Sequence, residues 1–491
     1  MTQRPAPRLP QLPWEGPAAG TDAPAVRDVR RELSYRGLEQ ESAAVAEQLR
    51  ALGVGDGDVI AVMLPNSIEL LVALLGAWRV GAAVTPLNPT FTAREARYQL
   101  ADSGARLLIG PEIAGTGIAR LGPDDLLREP REDIGDGHVD PRRIALIVYT
   151  SGSTGQPKGV LLDHRNLEAM AAQMAGHFHL TADDHALLVL PLFHVNSICV
   201  TFLAPLRVGA QITVLERFAP ASFVDAVRRH RPTYFSAVPA IFAHLSVLPP
   251  EVEFDASSLR FAVCGAAPAS AALLARCEER FGIVIAEGYG LTEATCASAC
   301  NPLDGPRKPG TVGPALPGQT IRIIDAEGGE VPTGDRGEII VSGPTVMRGY
   351  LGRPDATAEV VRDGWLHTGD IGVLDADGYL SVVDRIKDMI IRGGENIYPK
   401  EIEAFLALHP AVVEAAVVGR PDARLGEVPV AQVVVSPDAG AITADDLLAH
   451  CATGLTKIKI PVALDIVEAL PRNPVGKIDK PALRRALLTH A

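Results

Sequence analysis

Short apolar runs alternate with helical segments from Leu33 to Glu287, and this alternation limits the fold more than any other feature of the chain. Ser34 can cap a helix that runs to Leu52 and stops at Gly53. Val59 to Leu64 then reads as a strand, Ser67 to Val80 as an apolar helix ending at Gly81, and Ala82 to Pro86 as a second strand. Thr92 and Glu95 form a capping-box pair ahead of the next helix, and Ala105 to Ile109 is another strand. Strand, helix, strand in this order favours parallel sheets covered by helices. The rhythm resumes with strands at Ala186 to Leu190, Gln211 to Leu215 and Thr233 to Ala237, and helices at Pro220 to His230 and Ile241 to Ser246. Arg260 to Cys264 and Ile283 to Glu287 are two more strands, separated by a helix from Ser270 to Phe281.

After about Gly310 the texture changes. Short β-rich runs (Thr320 to Ile324, Gly337 to Ser342, Gly378 to Asp384) alternate with Gly, Pro and Asp turns, which predicts a small antiparallel barrel. The last hundred or so residues carry their own α+β pattern, with strands at Met389 to Ile391, Ala411 to Gly419 and Val428 to Ser436. A helix opens at Tyr398-Pro399 and another spans Thr443 to His450. At 491 residues the chain is too long for one ordinary core. The expected division is an N-terminal domain of residues 1–386, made of two parallel-type sheets plus the barrel, and a small mobile C-terminal domain of residues 387–491.

Composition excludes several classes of function. With 47% hydrophobic and 21% charged residues the chain reads as globular. A net charge of -13 argues against a nucleic-acid scaffold, though a local loop can still bind an anion. The six cysteines (Cys199, Cys264, Cys277, Cys296, Cys300, Cys451) include no C-x-x-C pair, and no His cluster completes a zinc site. A reduced, cytoplasmic setting is expected. The proline-rich start, to Pro24, lacks the apolar core of a signal peptide, and the apolar stretch Leu70 to Ala77 is too short for a membrane span.

Chemistry enters with Tyr149-Thr150-Ser151-Gly152-Ser153-Thr154-Gly155-Gln156-Pro157-Lys158-Gly159, which follows the apolar run Ile144 to Val148. Its glycines let successive N–H groups turn into one concavity. Ser151, Ser153 and Thr154 add hydroxyls and Lys158 a positive charge, a set that suits a polyphosphate. The G-x-x-x-x-G-K-[ST] spacing of a Walker A loop is missing. Taken alone, the segment also fits a flexible turn.

Five further segments bear on it. In Glu287-Gly288-Tyr289-Gly290-Leu291-Thr292-Glu293, glycines on both sides leave the Tyr289 ring open to stack on a flat base. Thr292 can donate to a phosphate, and Glu293 is a hard oxygen ligand for magnesium. A tight turn with a core tyrosine fits the same residues. Trp365-Leu366-His367-Thr368-Gly369-Asp370 puts at a turn a carboxylate able to accept both hydroxyls of a ribose. Asp384-Arg385-Ile386-Lys387-Asp388 is a charged connector between apolar strands, where a hinge would sit. Arg392-Gly393-Gly394-Glu395 is a double-glycine turn that permits close backbone approach to an extended ligand. Pro471-Arg472-Asn473-Pro474-Val475-Gly476-Lys477 presents a lysine near the C-terminus.

With all six motifs in order, the chain from about Leu33 onward resembles the adenylate-forming superfamily of acyl-CoA synthetases, peptide-synthetase adenylation domains and luciferases. In proteins of that kind a carboxylic acid attacks the α-phosphate of MgATP, giving an acyl-adenylate and pyrophosphate. A thiol, usually that of coenzyme A, then expels AMP. By resemblance, the loop from Thr150, Ser151, Gly152, Ser153, Thr154 and Gly155 to Lys158 would hold the β- and γ-phosphates. Thr292 would contact the α-phosphate, and Glu293 would hold Mg2+. Tyr289, between Gly288 and Gly290, would stack on adenine beside Gly265, Ala266 and Ala267. Asp370 and Arg385 would bind the ribose. Lys477 would bridge the carboxylate and the α-phosphate, offsetting the repulsion of two anions. Lys387 would be the hinge whose rotation withdraws Lys477 and brings Gly393 and Gly394 to the pantetheine tunnel.

His194, in Pro191-Leu192-Phe193-His194-Val195-Asn196, lies where the family places a gate near the acyl pocket, and it also fits a packed core histidine. Adenylation domains for α-amino acids typically carry an aspartate near this position, so an amino acid is disfavoured. The expected pocket segments (Val195 to Thr201, Ser236 to Ala240, Cys264 to Ala267) are small and apolar. They fit an uncharged fatty or aromatic carboxylate better than a dicarboxylate, which would want an arginine inside. Arg228, Arg229 and Arg231 read as a solvated helix end. The resemblance implies an ATP-dependent carboxylic acid–CoA ligase, monomeric or homodimeric. The alternatives are transfer to a carrier-protein phosphopantetheine and a non-catalytic relative, the latter opposed by the presence of Lys477, Glu293 and the loop.

Overall fold

The computed structural model describes every residue except 1–14, 127–138, 151–155, 250, 251, 253, 268, 437, 438, 473–477 and 489–491. Two compact units emerge: residues up to 321 with 341–367, and residues 322–340 with 368–491.

Two sheets build the first unit. The larger has eight strands in the order Ala299–Cys300, Val284–Tyr289, Phe261–Cys264, Tyr234–Ala237, His185–Leu188, Gln211–Val214, Pro24–Arg27 and Glu32–Ser34. Its six inner strands are parallel, as the strand–helix alternation predicts, and antiparallel pairs close both edges. The second sheet has seven strands: Gly349–Tyr350, Lys158–Asp163, Ile144–Thr150, Ala83–Pro86, Val59–Val62, Leu107–Ile109 and Ala119–Leu121. The last five run parallel, and the first two are antiparallel additions.

Local chemistry fixes the helices. Ser34 and Ser67 accept the N–H groups of Gly37 and Leu70, and Thr92 forms the expected capping box with Glu95. Helix Ile68–Arg79 is apolar on most faces and every one of its residues is buried, as such a helix requires. It packs against helix Tyr35–Ala51 at Gly76, where an added Cβ would lie 2.6 Å from Val45 Cγ1. One large apolar cluster joins these helices to both sheets, and the Trp78 indole inside it donates to the carbonyl of Ala145 at 2.9 Å.

The expected barrel takes the form of a five-stranded sheet, ordered Thr320–Ile324, Gly337–Ser342, Trp365–Leu374 and Val361–Arg362, with Leu380–Arg385 antiparallel to Trp365–Leu374. Within the second unit a further sheet orders Glu395–Ile397, Ile390–Arg392, Gly426–Val435 and Val412–Asp422, and Ala463–Ile466 pairs parallel with Gly426–Val435. Helices Pro399–Leu406 and Ala444–Ala452 pack their apolar faces into that sheet. All six cysteines are buried free thiols. Among the described residues no helix is long and apolar enough to cross a membrane.

Candidate active site

Parallel α/β sheets place ligands at the carboxyl ends of their strands, and the larger sheet gathers three predicted motifs there. Register aligns Ala237 with Cys264 and Cys264 with Glu287, so three strands finish level. The Gly265 N–H donates to the carbonyl of Ala237 at 3.2 Å, and a Cβ on Gly265 would touch the carbonyl of Gly288 at 3.5 Å. Gly265, Ala266 and Ala267 are thereby brought beside Gly288 and Tyr289. Ala266 holds a φ of +68°, unusual for a residue with a Cβ and a form of strain that collects at functional sites. Gly290 has no room for a side chain, since a Cβ would fall 1.8 Å from the carbonyl of Cys296. The close return of the chain there pins Tyr289, whose carbonyl accepts from the Ser298 N–H at 2.8 Å.

Glu287, inside the strand Val284–Tyr289, is largely buried. Loss of hydration raises its carboxyl from the usual 4.5 to about 7, and a contact from the Ala269 N–H only partly opposes the rise.

The expected acyl-pocket segments converge at the same edge. Ser236 donates to Asn196 Oδ1 at 2.8 Å, tying the strand Tyr234–Ala237 to the segment after His194. That segment continues as a π-helix, Ser197–Leu203, a geometry often found at functional sites. The carbonyl of His194 accepts from the Ile198 N–H at 3.4 Å, and its half-buried ring tilts on Phe193 with centroids 4.4 Å apart. Val195, Ile198, Cys199, Val200, Ala237 and Cys264 are buried. Arg228 and Arg229 pair instead with Asp225 at an exposed helix end, as expected of a solvated face.

The glycine-rich loop bridges two antiparallel strands, with Thr150 opposite Lys158 and Tyr149 opposite Gly159. Ser151, Gly152, Ser153, Thr154 and Gly155 lie outside the described residues. Both ends of the loop are anchored. Tyr98 donates to the carbonyl of Pro157 at 2.8 Å, while Tyr149 donates to Asp102 at 2.8 Å and Arg353 pairs with Asp102 at 2.7 Å. Burial and this carboxylate push the Tyr149 phenol well above its usual range. The Lys158 ammonium lies 4.9 Å from the centre of the Tyr350 ring, and the Tyr350 hydroxyl donates to Glu293 Oε1 at 2.8 Å. Thr292 and Glu293 open a short 3-10 turn, Thr292–Ala294, separated from Tyr289 by Gly290 and Leu291.

Within the second unit, Asp370 and Arg385 face each other across adjacent strands and make an ion pair, Nε to Oδ1, of 2.9 Å. Asp370 is buried, and its N–H donates to Thr368 Oγ1 at 3.1 Å. Gly369 turns at a φ of +68° and donates its N–H to Glu338. Lys387 lies in a short 3-10 turn, and burial beside Arg385 lowers its ammonium from 10.5. The Asp384 carboxylate accepts the Lys400 N–H at 2.8 Å, and Asp388 pairs with Arg484 at 2.9 Å. Gly393 and Gly394, both at positive φ, form the two-residue turn of a hairpin. Lys477 lies outside the described residues.

Reading the sequence alone does not single out Tyr350, Asp102, Arg353 or the Asn196–Ser236 pair. Each acts through a partner distant in the chain, which no local spacing signals.

The chain also matches two family models: "AMP-binding enzyme" over residues 14–351 and "AMP-binding enzyme C-terminal domain" over residues 401–477. A feruloyl-CoA synthase from Amycolatopsis sp is 41% identical, across 94% of this chain and 96% of that protein. A long-chain-fatty-acid–CoA ligase from Yersinia pestis is 35% identical, across 94% and 91%. The crystal structure of ATP-bound MatB from Rhodopseudomonas palustris aligns with a TM-score of 0.88 at 33% identity, across 95% of this chain and 96% of that one. The chain belongs to the AMP-binding, adenylate-forming enzyme superfamily. Within it the chain is an acyl-CoA synthetase, an acid–thiol ligase that uses ATP to join a carboxylic acid to coenzyme A through an acyl-adenylate.

Proposed function

We propose that the acid is an uncharged aromatic carboxylate with a polar ring substituent, within the wider class of fatty and aromatic acids. The observation that carries this reading is the Asn196–Ser236 pair in pocket segments that hold no Lys or Arg and whose other hydroxyls, Ser197 and Thr201, donate to backbone carbonyls. A dicarboxylate would leave its second charge without a cation there. The Asn196 amide oxygen is already taken by the Ser236 hydroxyl; a plain alkyl chain would offer nothing to the amide nitrogen, whereas a ring hydroxyl or ether can accept from it. The feruloyl-CoA synthase, 41% identical, supports the aryl side of the choice.

Residue roles follow the chemistry. The loop from Thr150 to Lys158 receives the β- and γ-phosphates, Thr292 the α-phosphate, Tyr289 the adenine, and Asp370 with Arg385 the ribose. Glu293 fits a Mg2+ bound chiefly through substrate phosphates, because one protein carboxylate is what such an ion usually needs. When bound, the ion would neutralise phosphate charge. Lys477 steadies the acid against the α-phosphate, His194 borders the acyl pocket, and Lys387 is the pivot between the two half-reactions. Gly393 and Gly394 admit the pantetheine arm of coenzyme A. Six reduced thiols accord with a cytoplasmic enzyme.

A panel of carboxylic acids scored by pyrophosphate release, with and without coenzyme A, tests the reading. Substituted aryl acids should lead, and Asn196→Leu should narrow their advantage over unsubstituted aryl or medium-chain acids to roughly a tenth, the usual worth of one site-to-substrate hydrogen bond. An unchanged ranking in that variant, or a dicarboxylate at the head of the panel, would overturn it.

A further inference from the structure

Tyr350 lies well after the last motif of the nucleotide site in the first unit, yet it touches two of that site's charged residues at once. The Lys158 ammonium lies over its ring at 4.9 Å from the centre, and its hydroxyl hydrogen-bonds Glu293 Oε1 at 2.8 Å. The backbone holds the ring in place from both sides. Tyr350 pairs with Val160 on the strand that begins at Lys158, and the Leu351 N–H donates to the carbonyl of Gly159 at 2.8 Å. At the other end of the segment, the Met347 N–H donates to the carbonyl of Glu293 at 2.8 Å. Residues 347–351 thus form a strap stitched to the phosphate-loop strand and to the Glu293 turn, with one buried aromatic ring between them.

This arrangement matters for two oppositely charged groups with different partners. Left alone, Lys158 and Glu293 would attract each other, and a direct ion pair would have to break before phosphate and metal could bind. A ring between them satisfies both more gently. Its face holds the ammonium by cation–π attraction, and its hydroxyl fixes one carboxylate oxygen. We propose that Tyr350 is a positioning residue that presets Lys158 for the polyphosphate and orients the Glu293 carboxylate for the cation that accompanies ATP. The inference rests on the roles given to Lys158 and Glu293 under the proposed function.

The test is calorimetric binding of ATP, with and without magnesium, to the full-length enzyme in the absence of acid and coenzyme A, so that no turnover contributes. Tyr350→Phe keeps the ring and removes the hydroxyl. It should weaken MgATP binding by roughly tenfold, the worth of one charge-assisted hydrogen bond, while changing metal-free ATP binding less than about twofold. Tyr350→Leu removes the ring as well and should also weaken metal-free ATP binding severalfold. Thermal unfolding of both variants verifies that they fold. Glu293→Gln should abolish the gain in ATP affinity that magnesium gives, and adding Tyr350→Phe to it should cost nothing further.

Equal weakening of MgATP and metal-free ATP by Tyr350→Phe would overturn the inference, as would wild-type binding in that variant. If Glu293→Gln retains the full magnesium effect, the metal role of Glu293 falls, and the inference falls with it. If Glu293→Gln removes the effect but the double variant is weaker still, only the part assigned to Tyr350 falls.

Discussion

At the residue scale, burial is used for different ends in neighbouring positions. Gly290 exists because the chain returns so closely that no Cβ fits, and that return holds Tyr289 in place. Glu287, three positions earlier, is a carboxyl deprived of water, with its pKa raised from 4.5 to about 7. Because the folded value exceeds the unfolded one, the stability it contributes is complete below about pH 4.5 and is lost as pH rises to about 7. Glu287→Gln, which keeps an acceptor for the Ala269 N–H, should therefore be more stable than the parent at pH 8, by on the order of 2–3 kcal/mol. Near pH 4.5 the two should converge. Thermal unfolding across that range checks this, and a shift of the same size at both ends would refute it.

Elements carry the next level of control. The glycine-rich loop is a strand-to-strand connection, and its ends are secured by side chains from elsewhere: Tyr98 on Pro157, and Asp102 between Tyr149 and Arg353. A loop that must turn several N–H groups toward one anion loses affinity when its ends drift. Asp102→Asn should raise KM for ATP by roughly five- to tenfold with a smaller change in kcat. Steady-state kinetics at fixed acid and coenzyme A measure it, and a fall in kcat alone would point to another role. The turn Ile386–Asp388 is the second element of interest, flanked by the Asp384–Lys400 and Asp388–Arg484 contacts. Proline at Lys387 freezes φ and removes an N–H. Lys387→Pro should therefore suppress one half-reaction far more than the other, measured as pyrophosphate release against thioester formation from supplied acyl-adenylate.

At the scale of the whole molecule, the proposed cycle asks one lysine to serve the first half-reaction only. Lys477→Ala should lower adenylation by roughly a hundred- to a thousandfold. Thioester formation from synthetic acyl-adenylate should stay within about twofold, since no anion then needs to be brought to the α-phosphate. Equal loss in both assays would refute a two-stage use of this enzyme. Comparing free coenzyme A with a loaded carrier protein in the second assay identifies the acceptor.

Much of this was legible in the chain because the determinants are local. Alternating apolar strands and capped helices specify parallel sheets, since Ser34, Ser67 and Thr92 satisfy helix ends with their own side chains and each apolar run has one face or two to bury. Motifs such as Gly288-Tyr289-Gly290 and Gly393-Gly394 declare themselves because glycine is required wherever no Cβ fits, as at Gly290, or the backbone turns left-handed, as at Gly393 and Gly394. Tertiary structure alone decided the rest: the facing of Asp370 and Arg385 across a strand pair, the Ser236–Asn196 contact between two segments proposed to line the acyl pocket, and the Tyr350 ring between Lys158 and Glu293. Those relations join residues tens to hundreds of positions apart. Sequence periodicity records which face a residue turns to the core, but only the packed chain sets which distant partner it meets.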